Sequence, residues 1–154
     1  MTWVFWAIAV AALIHVAEEY WGGFLGLMQQ RVPGVTLRQF LIINALFVLL
    51  CIIAAVVGTN NLVLSLSVAS LILINALIHA GATLLLRRYA AGLISALVLY
   101  VPLGIYAFCQ AKLTPGQTAA AGLLGLLWMS VPIVYQLVRL RGRLPVGRSD
   151  PRAS

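Results

Sequence analysis

Long apolar runs, broken at a few short sites rich in glycine, proline or charge, set the pattern of this chain. The first run extends from about Trp3 to Trp21 and stops at Gly22-Gly23, with Phe24 to Met28 trailing toward an interface. Arg31-Val32-Pro33-Gly34 breaks the chain, and a second run follows from about Leu37 to Val57. Gly58-Thr59-Asn60-Asn61 ends it. A third run covers Leu62 to Leu86 and closes on Arg87-Arg88, and a fourth covers Gly92 to Gln110. Thr114-Pro115-Gly116-Gln117 then reads as a helix start, with Thr as N-cap, Pro in the first turn and Gln three residues after the cap. The fifth run ends at about Val138. Each run approaches or reaches the roughly 20 residues that cross a bilayer as a helix. None shows the apolar–polar alternation over about ten residues that marks a membrane strand. The pattern predicts an all-α membrane protein: one bundle of five transmembrane helices over residues 1–138, then a basic tail over 139–154 that is expected to be disordered.

Composition narrows this further. Hydrophobic residues make up 63% of the 154 residues, charged residues 8%, and the mean hydropathy is +1.06. A soluble domain carries about 25% charged residues, so a water-soluble fold, a disordered chain and a nucleic-acid module are all excluded as expectations. The net charge of +7 is instead a topology signal. Arg31, Arg38, Arg87, Arg88, Arg139, Arg141, Arg143, Arg148 and Arg152 fall on one side of the predicted bundle, and Lys112 falls alone on the other. The positive-inside bias then places the N-terminus outside and the C-terminus in the cytoplasm, as in a multi-pass protein of the bacterial inner membrane. Cys51 and Cys109 lie within apolar runs and form neither a disulfide framework nor a metal-ligand spacing. The first run is not read as a signal peptide, because His15, Glu18 and Glu19 interrupt it.

Those three residues are the main chemical signal. An ionisable group inside a membrane span costs roughly 2.5–3.5 kcal/mol on insertion scales and marks function by default. The chain has three acids, Glu18, Glu19 and Asp150, and two histidines, His15 and His79. Both histidines and two of the acids fall inside spans. His15, Glu18 and Glu19 share a helix face at spacings i, i+3 and i+4, and Asn75, His79 and Thr83 form a stripe on the third span. The first and third spans run in the same direction, and counting residues from their starts puts Glu19 and His79 at nearly equal depth. Asn44 on the second span and Tyr100 on the fourth reach the same layer. His15, Glu18, Glu19 and His79 are therefore the candidate catalytic residues, with Asn44, Asn75 and Tyr100 around them. The competing assignment lets the two glutamates reach the interface beside Tyr20 and Trp21 and leaves the asparagines to interhelical hydrogen bonding.

Ile14-His15-Val16-Ala17-Glu18-Glu19 resembles the signature of the HXXEE membrane proteins, a bacterial family named for that motif. The family pattern adds a second histidine, matched here by His79. It also has a Tyr-x-Pro-Gly element, matched by Tyr89-Ala90-Ala91-Gly92 with Ala91 in the proline's place. The resemblance covers roughly residues 5 to 110 and adds Tyr89 to the candidate site. It implies a shared His/Glu cluster and carries no activity with it.

Three function classes follow. Two adjacent carboxylates in a low dielectric repel, so one tends to keep its proton. With histidine nearby, the pair could serve acid–base chemistry (isomerisation, cyclisation or hydrolysis) on a lipophilic substrate. The layout is similar to that of five-span sterol isomerases and membrane terpene cyclases. Alternatively, His15, Glu18, Glu19 and His79 supply nitrogen and oxygen ligands suited to a single zinc or iron ion, although no cofactor is required by the sequence. The third class is a proton-coupled carrier or lipid-binding subunit, which at this size would be a homo-oligomer held by small residues such as Ala121 and Gly125. The expected partners are the lipid bilayer and a lipophilic small molecule, with no nucleic acid.

Overall fold

The computed structural model describes residues 1–32 and 34–141. Six helices follow in order: α1 (Thr2–Trp21), α2 (Phe24–Arg31), α3 (Leu37–Val57), α4 (Leu62–Leu86), α5 (Leu93–Gln110) and α6 (Pro115–Arg141). Among the described residues there is no strand. Four helical runs are long and apolar enough to cross a membrane, and one of these, Leu37–Leu86, is 50 residues long. It folds back on itself through a 3-10 turn at Gly58–Asn61, so α3 and α4 pack together as two helices. Gly58 makes the reversal possible at φ +52°, and the Ser65 hydroxyl secures it, its one proton shared between the Gly58 and Ala54 carbonyls at 2.7 and 2.9 Å.

These helices are apolar on nearly every side, as befits elements that bury one face in protein and turn the other to lipid. Large side chains such as Val56, Leu77, Leu84 and Leu123 face outward. The inward faces carry many small residues, among them Ala11 and Ala12 of α1, Ala54 and Ala55 of α3, and Ala69 of α4. Without a hydrophobic driving force between helices in lipid, close packing over small residues is what holds a bundle together. α4 lies along α6 and also meets α5 and α3, while α1 lies along α3 and touches the start of α5. Trp128 of α6 donates to the Ser67 hydroxyl of α4 at 3.1 Å.

The expected N-terminal cap forms: Thr114 and Gln117 close a reciprocal pair at the start of α6. The structure adds a second at α3, where Thr36 and Gln39 close a capping box. Three boundaries differ from expectation. The trailing segment after Gly22-Gly23 is a separate helix, α2, because Gly23 adopts φ +77° and turns the chain. α6 continues to Arg141, beyond the expected limit at Val138, and the rest of the predicted tail lies outside the described residues. In α5, Ala96–Tyr100 is π-helical. Pro102 follows at once and lacks the N–H that an α-helical ladder would need.

Gly125 marks a close approach of α6 to α4, since a Cβ there would sit 2.4 Å from the Ser70 Cβ, whereas one on Gly122 would meet nothing within 4 Å. Gly125→Ala should therefore lower the thermal unfolding temperature in detergent, at a cost of about 1–3 kcal/mol. Gly122→Ala should leave it unchanged or raise it. Equal effects at the two positions would contradict this packing.

Candidate functional site

The C-terminal halves of α1 and α4 carry three ionisable side chains that converge. His15 and His79 are 1% exposed and Glu19 is 4% exposed. The Glu19 Oε1 atom lies 3.1 Å from His79 Nε2 and 3.5 Å from His15 Nε2. One ligand atom from each residue falls within 4.8 Å of the other two. The imidazoles meet edge to face at 4.9 Å, with Phe24 of α2 against His79 at 4.7 Å and Tyr100 of α5 against His15 at 4.6 Å. His15 also bonds through Nδ1 to the Ser95 hydroxyl at 2.9 Å. His15 Nε2, His79 Nδ1 and the Tyr100 hydroxyl are buried without a hydrogen-bond partner.

Glu18 belongs to a different set of contacts. Consecutive residues point about 100° apart on an α-helix, so while Glu19 faces the imidazoles, Glu18 faces the start of α5. Its Oε1 accepts from the Gly92 and Ile94 amides at 3.0 and 3.1 Å, and its Oε2 from the Ser95 amide at 2.7 Å. The Tyr89 hydroxyl also donates to Glu18. Every partner is a donor, which suits an ionised carboxylate at a helix N-terminus. The expectation of two glutamates sharing one cavity is thus replaced by two glutamates with separate duties. Nor do both reach an interface beside Tyr20 and Trp21, since Glu19 is enclosed.

The connection from α4 to α5 closes over this arrangement. Arg87 ends α4 at φ +49°, and the Thr83 hydroxyl accepts from the Ala90 amide at 3.1 Å. Gly92 then turns at φ +101° directly against both histidines, where a Cβ would lie 2.6 Å from His79 Cε1 and 2.8 Å from His15 Cε1. On the facing side, a Cβ on Gly22 would meet the Ala91 Cβ at 2.4 Å. The turn forms with Ala91 in the proline position.

Of the outlying candidates, Tyr100 is at the cluster and Tyr89 is on Glu18. The Asn75 Oδ1 atom is buried without a partner, and Asn44 makes no side-chain hydrogen bond to another described residue. Sequence reasoning missed Ser95, although a hydroxyl three residues after Gly92 in an apolar run was a usable signal. It also missed Phe24.

Gly92→Ala should strain the backbone and push into both imidazoles, destabilising the fold by about 1–3 kcal/mol in detergent melts. A variant as stable as wild type would contradict the close approach. Tyr89 lies outside the spans; burial, and then its bond to Glu18, push its phenol up from 10.0 to about 12. A raised value means that stability from the neutral phenol is complete below pH 10 and fades as pH climbs through about 12. Tyr89→Phe should lack that loss when unfolding is followed across pH 10 to 12. A wild-type profile in the variant would contradict it.

No curated protein and no solved structure matches this chain. A family profile described as a protein of unknown function with HXXEE motif matches residues 6–107. His15, Glu18 and Glu19 supply that motif, and His79 and Gly92 fall within the same stretch. The chain belongs to the HXXEE-motif family.

Proposed function

We propose that this protein is a metal-dependent integral membrane enzyme acting on a lipophilic small molecule, with His15, Glu19 and His79 as the metal ligands. In this reading the chain crosses the bacterial inner membrane five times, with the N-terminus outside and the C-terminus in the cytoplasm. The observation that carries it is the enclosure of two imidazoles and one carboxylate with ligand atoms within 4.8 Å of one another. Separations of 3.1 and 3.5 Å between Glu19 Oε1 and the two Nε2 atoms suit a tetrahedral ion, whose ligands lie about 3.4 Å apart for bonds near 2.1 Å. A proton on His79 satisfies one of these contacts and leaves His15 Nε2 unpartnered, whereas a shared cation serves all three atoms.

Two histidines and a carboxylate favour zinc or non-haem iron and keep a coordination position open for water or a substrate oxygen. Metal chemistry fits better than a two-carboxylate acid pair because Glu18 is occupied at α5. Lipophilic substrates suit the surroundings. Beside the His79 turn of α4, a groove of about 220 Å³ between α4 and α5 is lined by Leu73, Ala76, Leu77, Ala80, Leu97 and Val101.

Protein purified in detergent should carry about one zinc or iron per chain by elemental analysis. Glu19→Gln and His79→Ala should lose it, while Asn60→Ala and Lys112→Ala keep it. Lipid extracts from cells expressing wild type should differ from those of the Glu19→Gln strain in at least one apolar species. Wild type free of metal after growth with zinc and iron would overturn the metal reading and return the cluster to proton handling. For the topology, cysteines placed at Asn60 and Arg87 should label from opposite sides of the membrane, and labelling from one side would refute it.

A further inference from the structure

We infer that Glu18 is a positioning residue that acts through Ser95: it holds the first turn of α5 so that His15 carries its proton on Nδ1 and presents Nε2 to Glu19 and His79. The role of Nε2 as a ligand rests on the metal reading above. The tautomer of His15 does not.

The argument starts at the end of a helix. The first amides of any α-helix lack partners within it, and a side chain at the N-cap usually serves them. In α5 the N-cap is Gly92. A serine or aspartate cannot replace it, because any Cβ there would lie 2.6 Å from His79 Cε1 and 2.8 Å from His15 Cε1. The cap has to come from another helix, and Glu18 of α1 provides it through the Gly92, Ile94 and Ser95 amides at 3.0, 3.1 and 2.7 Å.

That clamp places the Ser95 hydroxyl between two groups. It donates to the Gly92 carbonyl at 3.2 Å and lies 2.9 Å from His15 Nδ1. A hydroxyl has one proton to give, and a carbonyl can only accept it. With that proton directed at the Gly92 carbonyl, the serine oxygen is an acceptor toward His15 and Nδ1 carries hydrogen. A neutral imidazole has a single N–H, which leaves the Nε2 lone pair directed at the cluster, where it is buried without a hydrogen-bond partner. Metal-binding histidines are held in this way, by a hydrogen bond from the nitrogen that does not ligate. Adjacent acids on α1 thus divide the work: Glu19 joins the cluster, and Glu18 orients the histidine one turn behind it.

Nitrogen-15 NMR of histidine-labelled protein in micelles, stripped of metal by a chelator, reads the tautomer directly. Wild-type His15 should show a protonated Nδ1 and a bare Nε2. Ser95→Ala keeps the amide contacts of Glu18 and should convert His15 to the Nε2–H form or to a mixture. Glu18→Gln, which loses acceptor capacity at the cap, should move it the same way. Zinc affinity of both variants should fall roughly ten- to a hundredfold. If Glu18→Gln fails to fold, Ser95→Ala alone decides the step from serine to histidine, and Glu18→Asp tests the clamp. A wild-type His15 protonated on Nε2, or a tautomer that neither variant moves, overturns the inference. Wild type with the Nδ1–H form, sensitive to Ser95→Ala but unable to hold zinc, upholds it and overturns the metal reading instead.

Discussion

Glu19 enclosed between two histidines is the constraint around which the rest of the bundle is arranged. A lone carboxylate in hydrocarbon is too costly to persist without partners, and here the partners come from both its own helix and α4. Leaving one member of such a group unpaired typically costs about 3–5 kcal/mol, so α1 and α4 are held in a fixed relation at this depth. The start of α5 is drawn to the same place by Glu18 and Ser95. Small residues then allow the fit, with Gly92 against the imidazoles and Gly22 against Ala91.

A second consequence concerns what covers the cluster. The connection from Arg87 to Gly92 is short, turns through two residues with positive φ, and is tied down at Ala90 by Thr83 and at Gly92 by Glu18. These ties fix the turn with Ala91 ahead of Gly92. Proline would fix one backbone angle, but the hydrogen bonds to Thr83 and Glu18 fix the turn from outside.

Much of this was legible in the sequence, for definite reasons. α3 and α4 begin and end where expected because Thr36, Gly58, Asn61 and Arg87 punctuate a continuous apolar run. His15, Glu19 and His79 stood out because ionisable groups are rare in such runs, and depth along parallel helices was enough to pair them. Angle around a helix was the harder quantity. Sharing a face at i+3 and i+4 made Glu18 look equivalent to Glu19, yet the 100° between them sends one to the histidines and the other to α5. Equal depth likewise brought Tyr100 to the cluster but gave Asn44 no side-chain partner among the described residues. Ser95 carried a signal as a hydroxyl in an apolar run, but its role depends on a helix whose N-cap residue, Gly92, has no side chain. The π-helical turn of α5 was hidden because Pro102 signals a missing donor without saying how the preceding turn adjusts to it.

The proposed chemistry rests on one metal ion held by His15, Glu19 and His79 together. X-ray absorption on the zinc-loaded protein in detergent tests it most directly. The proposed site predicts a first shell of nitrogen and oxygen at about 2.0–2.1 Å, with imidazole scattering from two histidines, and a His79→Ala protein that takes up too little zinc to give that spectrum. A sulfur shell near 2.3 Å, or a wild-type spectrum without imidazole scattering, would place the metal elsewhere and refute the site.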